Sequence, residues 1–385
     1  MRRRNYGRLG FDVSLLGLGC MRLPRITEGP DAGKVDPERA FQLIRYAADH
    51  GVTYFDTAYA YHSKNSEAIL GEALDGGYRE KVKIATKQPL LAMKTQADIR
   101  RNLENTLKKL RTDYLDVYLI HSITPDTWAE IKRRDIPGEF ERFRAEGLIR
   151  AVGFSYHGNF PCFQEVLSYR DWDMCQIQQN FYDTDKEATA AGIRLAGEKG
   201  CALVIMEPLR GGGLATPPAA IQSIYGDSRW PNRSAAEWAF RHLINSPEVS
   251  CVLSGMTTLE QLKENIAIFS QPDALPGCLS PEEKDLLGRV KAAYEELSFI
   301  PCTGCEYCLP CPQGVNIPRI FKIYNNARIF DRLQPQQRLY FLLKRGKGHG
   351  SLCVACGACE KKCPQKLDII GQLKISHELL DGWLE

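Results

Sequence analysis

The chain lacks a surplus of charge of either sign: 50 lysines and arginines stand against 47 aspartates and glutamates, a formal +3 over 385 residues. So even a balance argues against nucleic acid or a membrane surface as the main partner. Long apolar runs are missing as well, and none approaches the length of a membrane span. The basic start Met1-Arg2-Arg3-Arg4 runs straight into Asn5, Tyr6, Gly7 and Arg8, without the apolar stretch of a secretion signal. The expectation is a cytoplasmic protein. There thiols stay reduced, so the 14 cysteines are better candidates for metal binding than for disulfides. A dinucleotide-binding G-x-G-x-x-G is also absent: Gly17-Leu18-Gly19 lacks the third glycine. That counts against an open, doubly wound sheet.

What is present is a regular alternation. Apolar strand-like runs recur at Val13 to Leu18, Val52 to Asp56, Val82 to Lys87, Leu115 to His121, Ile149 to Ser155, Met174 to Gln178, Ala202 to Glu207 and Val249 to Gly255, with helical stretches between them. Eight such alternations predict a closed (β/α)8 TIM barrel, preceded by a small hairpin around Gly7 and Gly10. Asp36-Pro37 places proline at the first position of a helix, and Thr258 with Gln261 makes a capping box. Ser280-Pro281-Glu282-Glu283 opens a further helix, predicted to run to about Leu297. Beyond it the composition turns to cysteine, proline and glycine. The predicted domains are therefore a barrel over 1–297 and a small cysteine-rich domain over 298–385, carrying a helical insertion at 317–330 and 337–344.

Asp56, Lys87 and His121 each close a strand-like run, and Tyr61 follows the first of them. In a parallel barrel such ends share the catalytic face. These residues carry a resemblance. Asp56-Thr57-Ala58 with Tyr61, Lys87 after a short apolar strand, and Asp116-Val117-Tyr118-Leu119-Ile120-His121 are similar to the aldo-keto reductase family. The likeness continues through Gly153-Phe154-Ser155, Gln176, Pro208-Leu209 with Gly211-Gly212-Gly213, and Glu264-Asn265.

The resemblance implies hydride transfer between a nicotinamide and a small carbonyl or alcohol. Tyr61 would be the general acid, Lys87 would lower its pKa, Asp56 would hold Lys87, and His121 would orient the carbonyl. It also implies cofactor contacts from Ser155, Gln176, Pro208, Leu209, Gly211, Gly255, Thr257, Gln261, Glu264 and Asn265. NADP(H) is the expected cofactor and NAD(H) the alternative. Two departures stand out: Tyr156 replaces the asparagine that usually follows the serine, and Met256 and Thr257 offer no cation for a 2′-phosphate.

Cys302, Cys305, Cys308 and Cys311-Pro312 form one run, and Cys353, Cys356, Cys359 and Cys363-Pro364 a second. The pattern resembles two-cluster ferredoxins, in which the fourth cysteine of each run ligates the other cluster. Cys302, Cys305, Cys308 and Cys363 would then hold one [4Fe-4S] cluster, and Cys353, Cys356, Cys359 and Cys311 the other. Four-thiolate zinc is the competing reading. Together the two regions resemble the branch of aldo-keto reductases with a C-terminal ferredoxin-type domain. Three functions fit. One is a reductase whose clusters serve redox sensing, structure or electron transfer to a partner protein. The second is a cluster-coupled electron-transfer enzyme using another cofactor such as a flavin, for which no sequence signal exists. The third is a nicotinamide-binding regulator with little turnover.

Overall fold

A computed structural model of the chain describes residues 1–185, 187–297, 299–302, 304, 308–363 and 365–383. It divides into two compact units, the first made of Met1–Gly211 with Ala236–Pro281, the second of Gly212–Ala235 with Glu282–Glu385. This division differs from a single cut near Leu297. The helix Pro281–Glu296 belongs, almost from its start, to the unit that carries the cysteines.

The first unit opens with β1 (Arg3–Asn5) and β2 (Asp12–Ser14), an antiparallel hairpin. Eight parallel strands follow: β3 (Leu16–Gly19), β4 (Tyr54–Asp56), β5 (Lys83–Gln88), β6 (Val117–Ile123), β7 (Val152–Tyr156), β8 (Met174–Gln178), β9 (Ala202–Met206) and β10 (Val249–Ser254). They close in sequence order, with β10 pairing with both β9 and β3. The predicted barrel is therefore present, and seven of its runs meet one strand each. The run Val13 to Leu18 instead divides, its first part pairing in the hairpin and its second in the barrel.

The hairpin seals the base of the barrel. Tyr6 is fully buried among Tyr54, Met174, Ala202 and Cys251, and its hydroxyl meets that of Tyr54 at 2.9 Å. Gly7 has φ 58°, and a Cβ there would stand 2.6 Å from the backbone nitrogen of Ala202, so only glycine admits this approach. Asp116, the aspartate of the His121 strand motif, is structural. It accepts from the Ile84 amide at 3.0 Å and pairs with Arg79 at 2.9 Å, locking β5 to β6 at the end remote from the chemistry.

Both predicted caps form. Asp36 accepts from the Arg39 amide at 3.1 Å at the head of helix Pro37–Asp49, and Thr258 and Gln261 complete their box at the head of Leu259–Ser270. Among the described residues no helix is long and apolar enough to cross a membrane.

In the second unit the predicted insertion is helical, as Ile317–Ile329 and Leu333–Arg345, and Ile369–Leu380 packs with both. Ile317, Ile320, Phe321, Tyr340 and Leu373 lie in its core together with Cys359, and Cys302, Cys308, Cys311, Cys353 and Cys363 pack at the edge. Residues 212–235 join this unit closely. A Cβ on Gly213 would come within 2.8 Å of the Phe330 ring, which itself packs on Tyr294.

Candidate active site

Lys87 is the hub of the site. Its Nζ lies 2.6 and 2.8 Å from the two Asp56 carboxylate oxygens, 2.8 Å from the Thr57 carbonyl and 3.4 Å from the Tyr61 hydroxyl. Lys87 is 1% exposed and Asp56 3%, so the ion pair is sealed from water. The His121 ring meets the Tyr61 ring edge-on, with centroids 6.3 Å apart. The four residues come from the ends of β4, β5 and β6 and from the turn after β4, and the fold brings them together at one mouth.

The turn that presents Tyr61 is strained. His62, Ser63 and Lys64 all take positive φ, at 48°, 53° and 75°, a run that L residues adopt at a cost. It is held from both sides. The Leu23 amide donates to His62 Nε2 at 3.1 Å, and Thr57 donates to Ser66, which donates in turn to the Cys20 carbonyl.

Electrostatics correct one expectation. Burial is the largest influence on the Tyr61 phenol and raises its pKa; the Lys87 ammonium pulls it down without prevailing. In this site the phenol therefore stays protonated at neutral pH, rather than being lowered as the motif suggested. Burial also works against the Lys87 charge, yet Asp56 and Tyr61 outweigh it and hold the ammonium above the ordinary lysine value. At Asp56 burial prevails instead and raises the carboxyl above the ordinary aspartate value, against the pull of Lys87.

His121 moves the other way. Burial first, then the charges of Lys87 and His157, push it down to about 3. The imidazole is neutral across the physiological range and can donate a hydrogen bond without carrying charge. An unfolded chain takes up a proton here below its ordinary 6.5, whereas the folded site refuses it until about 3, so folding stability is lost as pH falls through that window. The expected NMR result is a His121 ring whose shifts do not titrate between pH 8 and pH 5. A midpoint near 6.5 would contradict this account.

The cofactor candidates line the same rim. Ser155 accepts from the Ser122 amide at 2.7 Å. Gln176, 2% exposed, reaches the Met206 sulfur at 3.7 Å through Nε2, while its Oε1 is buried with no hydrogen-bond partner. A buried, unsatisfied carbonyl oxygen beside a serine hydroxyl fits a carboxamide, which brings the N–H donor that is missing. Tyr156, in place of the usual asparagine, is buried and donates to the Asn159 carbonyl at 2.7 Å, so it closes the loop after β7 on itself.

Pro208 and Leu209 follow β9, and their loop is tied to the loop after β8 by Arg210, which meets Asp183 at 2.8 Å. Gly211 ends this unit with φ 70°. At the far rim, Asn265 donates to Ser254 at 3.0 Å and Glu264 is exposed. Gln261 accepts from the Thr257 and Thr258 amides, at 2.8 and 3.3 Å, so two donors at this helix head are already occupied by the cap.

In the second unit, Cys311, Cys353, Cys356 and Cys359, the four residues of one predicted ligand set, line a single cavity together with Cys308. Cys302 and Cys363 pack at the edge of the same core. Cys305 and Pro364 lie outside the described residues. Among the described residues no three histidines, cysteines or carboxylates converge as one ion requires. Thiols lining one cavity fit a cube, in which each thiolate binds its own iron. The backbone passes through left-handed positions at Ala355 and Gly357, which bends the loop tightly between its cysteines.

A family model described as the aldo/keto reductase family matches residues 15–273. The chain belongs to the aldo/keto reductase family. A second model, a 4Fe-4S dicluster domain, matches residues 301–367 and accounts for two clusters. The chain is 30% identical over 211 residues to a probable aldo-keto reductase 1 of Glycine max, a match spanning 53% of this chain and 58% of that relative, which is less than two thirds of its length. It is 26% identical over 296 residues to the uncharacterized oxidoreductase YqkF of Bacillus subtilis (strain 168), covering 69% of this chain and 90% of that one. A solved aldo-keto reductase from Klebsiella pneumoniae in complex with NADPH has the same barrel, with a TM-score of 0.60 at 23% identity, covering 76% of this chain and 96% of that one.

One residue of this aldo/keto reductase has no sequence signature at all. Arg22, in the loop after β3, lays its stem across Gly255: a Cβ on that glycine would stand 3.3 Å from three of its carbons. The Arg22 carbonyl also accepts from the Thr257 hydroxyl at 3.0 Å. The guanidinium is exposed, and no ion pair among the described residues engages it. It brings to the β10 loop the cation that Met256 and Thr257 do not supply. No period, cap or cysteine spacing marks position 22, because its proximity to Gly255 exists only once the barrel closes β10 onto β3.

Proposed function

We propose that the barrel is an NADPH-dependent reductase of a small carbonyl compound, with residues 1–297 as its reductase part and 298–385 as its cluster domain. The observation that carries this reading is Lys87 Nζ held between the Asp56 carboxylate and the Tyr61 hydroxyl. The nicotinamide, when bound, supplies the hydride. Tyr61 gives its proton to the oxygen of the reduced carbonyl, and Lys87 stabilises the phenolate left behind. Neutral His121 donates a hydrogen bond to that oxygen and fixes its direction. Burial keeps the phenol in its protonated form near neutrality, which is the form that carbonyl reduction uses.

Ser155 and Gln176 would hold the carboxamide, and Arg22 the 2′-phosphate. Arg22→Ala is therefore expected to weaken NADPH about ten- to a hundredfold while leaving NADH unchanged, as measured by fluorescence titration. Equal loss for both would remove Arg22 from that role.

The reading itself is tested on full-length protein purified without oxygen, by following NADPH consumption against a panel of aldehydes and ketones. Turnover with several of them is the expected result. Tight nicotinamide retention without turnover would favour a regulator, and release of a flavin on denaturation would favour the cluster-coupled enzyme. Failure to bind either nicotinamide would end the proposal.

A further inference from the structure

The thiols that line the cysteine cavity lie under a thin and accessible cover. Val354, between two of the cysteines, is 61% exposed and borders the cavity, and Cys356 is itself exposed. A cluster held there by Cys311, Cys353, Cys356 and Cys359 would have an edge close to solvent at this loop. Short distance to the surface is what one-electron exchange between proteins needs.

The surroundings are basic. Lys361 and Lys362 stand exposed on the short helix Ala358–Lys362, and Lys362 borders the same cavity. Ile370 also lines it, and Lys374 lies one turn along the same helix face. Lys366 is exposed between them. None of these four lysines makes an ion pair among the described residues. The four lysines outnumber the two acids among them, Glu360, which accepts from the Ile370 amide at 2.9 Å, and Asp368, which caps its helix through the Gly371 amide at 3.0 Å.

We propose that this face docks a small acidic protein that carries a one-electron centre. An exposed apolar tip inside a ring of free ammonium groups matches a partner with an apolar contact at its own redox centre and carboxylates around it. The charge excludes a second copy of the same face, which would set lysines against lysines. In each encounter one electron leaves the carrier and enters the cluster, or the reverse, and no proton or further reactant is needed to balance the step.

The inference rests on reading these cysteines as a ligand set, and the test keeps the two apart. Iron and sulfide are first measured on the anaerobic full-length protein; a chain that binds neither would overturn the ligand set itself. A purified acidic [2Fe-2S] ferredoxin, reduced beforehand, is then mixed with the holoprotein, and its oxidation is followed by stopped flow. Binding is measured separately by calorimetry.

The expected rate falls about tenfold or more as salt is raised, and about tenfold in Lys361→Glu/Lys374→Glu, with binding weakened in parallel. Reduction by dithionite, which needs no docking, should be the same in both proteins, and so should their iron content. A charge-reversed protein that accepts electrons from ferredoxin at the normal rate would overturn the proposal. So would a rate indifferent to salt, or sedimentation showing that the lysine face is buried between two copies of the chain.

Discussion

Tyr61→Phe is expected to lower carbonyl reduction by about two to four orders of magnitude, the range that a positioned acid contributes. The fall should appear in kcat, because the proton is needed only as charge develops on the oxygen. NADPH affinity should hardly change. The phenol hydroxyl meets Lys87 and, among the described residues, hydrogen-bonds to none of the cofactor candidates, and Phe preserves the ring packing on His121. The residual rate should also lose its dependence on pH in the alkaline range, where the wild-type phenol ionises. A Phe variant that keeps its kcat would place the acid elsewhere, and His121 is too weakly basic at this site to be the obvious substitute.

Lys87→Met is the second large effect, on stability as well as on rate. It leaves Asp56 buried beneath the barrel mouth without its cation, and a stranded buried charge costs about 3–5 kcal/mol. Chemical denaturation should show a loss of that size, smaller where the carboxyl can take up a proton instead. Asp56→Asn/Lys87→Met should regain much of the stability and none of the activity, because it removes both charges and still leaves Tyr61 without its neighbour. If the double variant were no more stable than the single one, the ion pair would not be the source of the loss.

The barrel was legible because parallel strands buried on both faces read as apolar runs, and the caps at Asp36 and Thr258 were legible because capping is local. That Asp56, Tyr61, Lys87 and His121 share one mouth was legible for a similar reason: each sits at a strand end or in a short motif beside one. Failures began where a property depends on surroundings. The phenol of Tyr61 was expected to be lowered by one ammonium, but the desolvation that opposes it comes from packing that no motif records. The run Val13 to Leu18 looked continuous, since burial on both sides of Leu15 hides a change of pairing partner. Arg22, and the attachment of residues 212–235 to the cysteine unit, are products of tertiary closure alone.

The plug formed by Tyr6 and Gly7 has a consequence for access. With its foot covered and its interior packed, the barrel leaves the opposite end of its strands to small molecules, so under the proposed function dinucleotide and substrate would share one opening, where Ser155 and Gln176 pair on neighbouring strands and the exposed Arg22 stands beside Gly255.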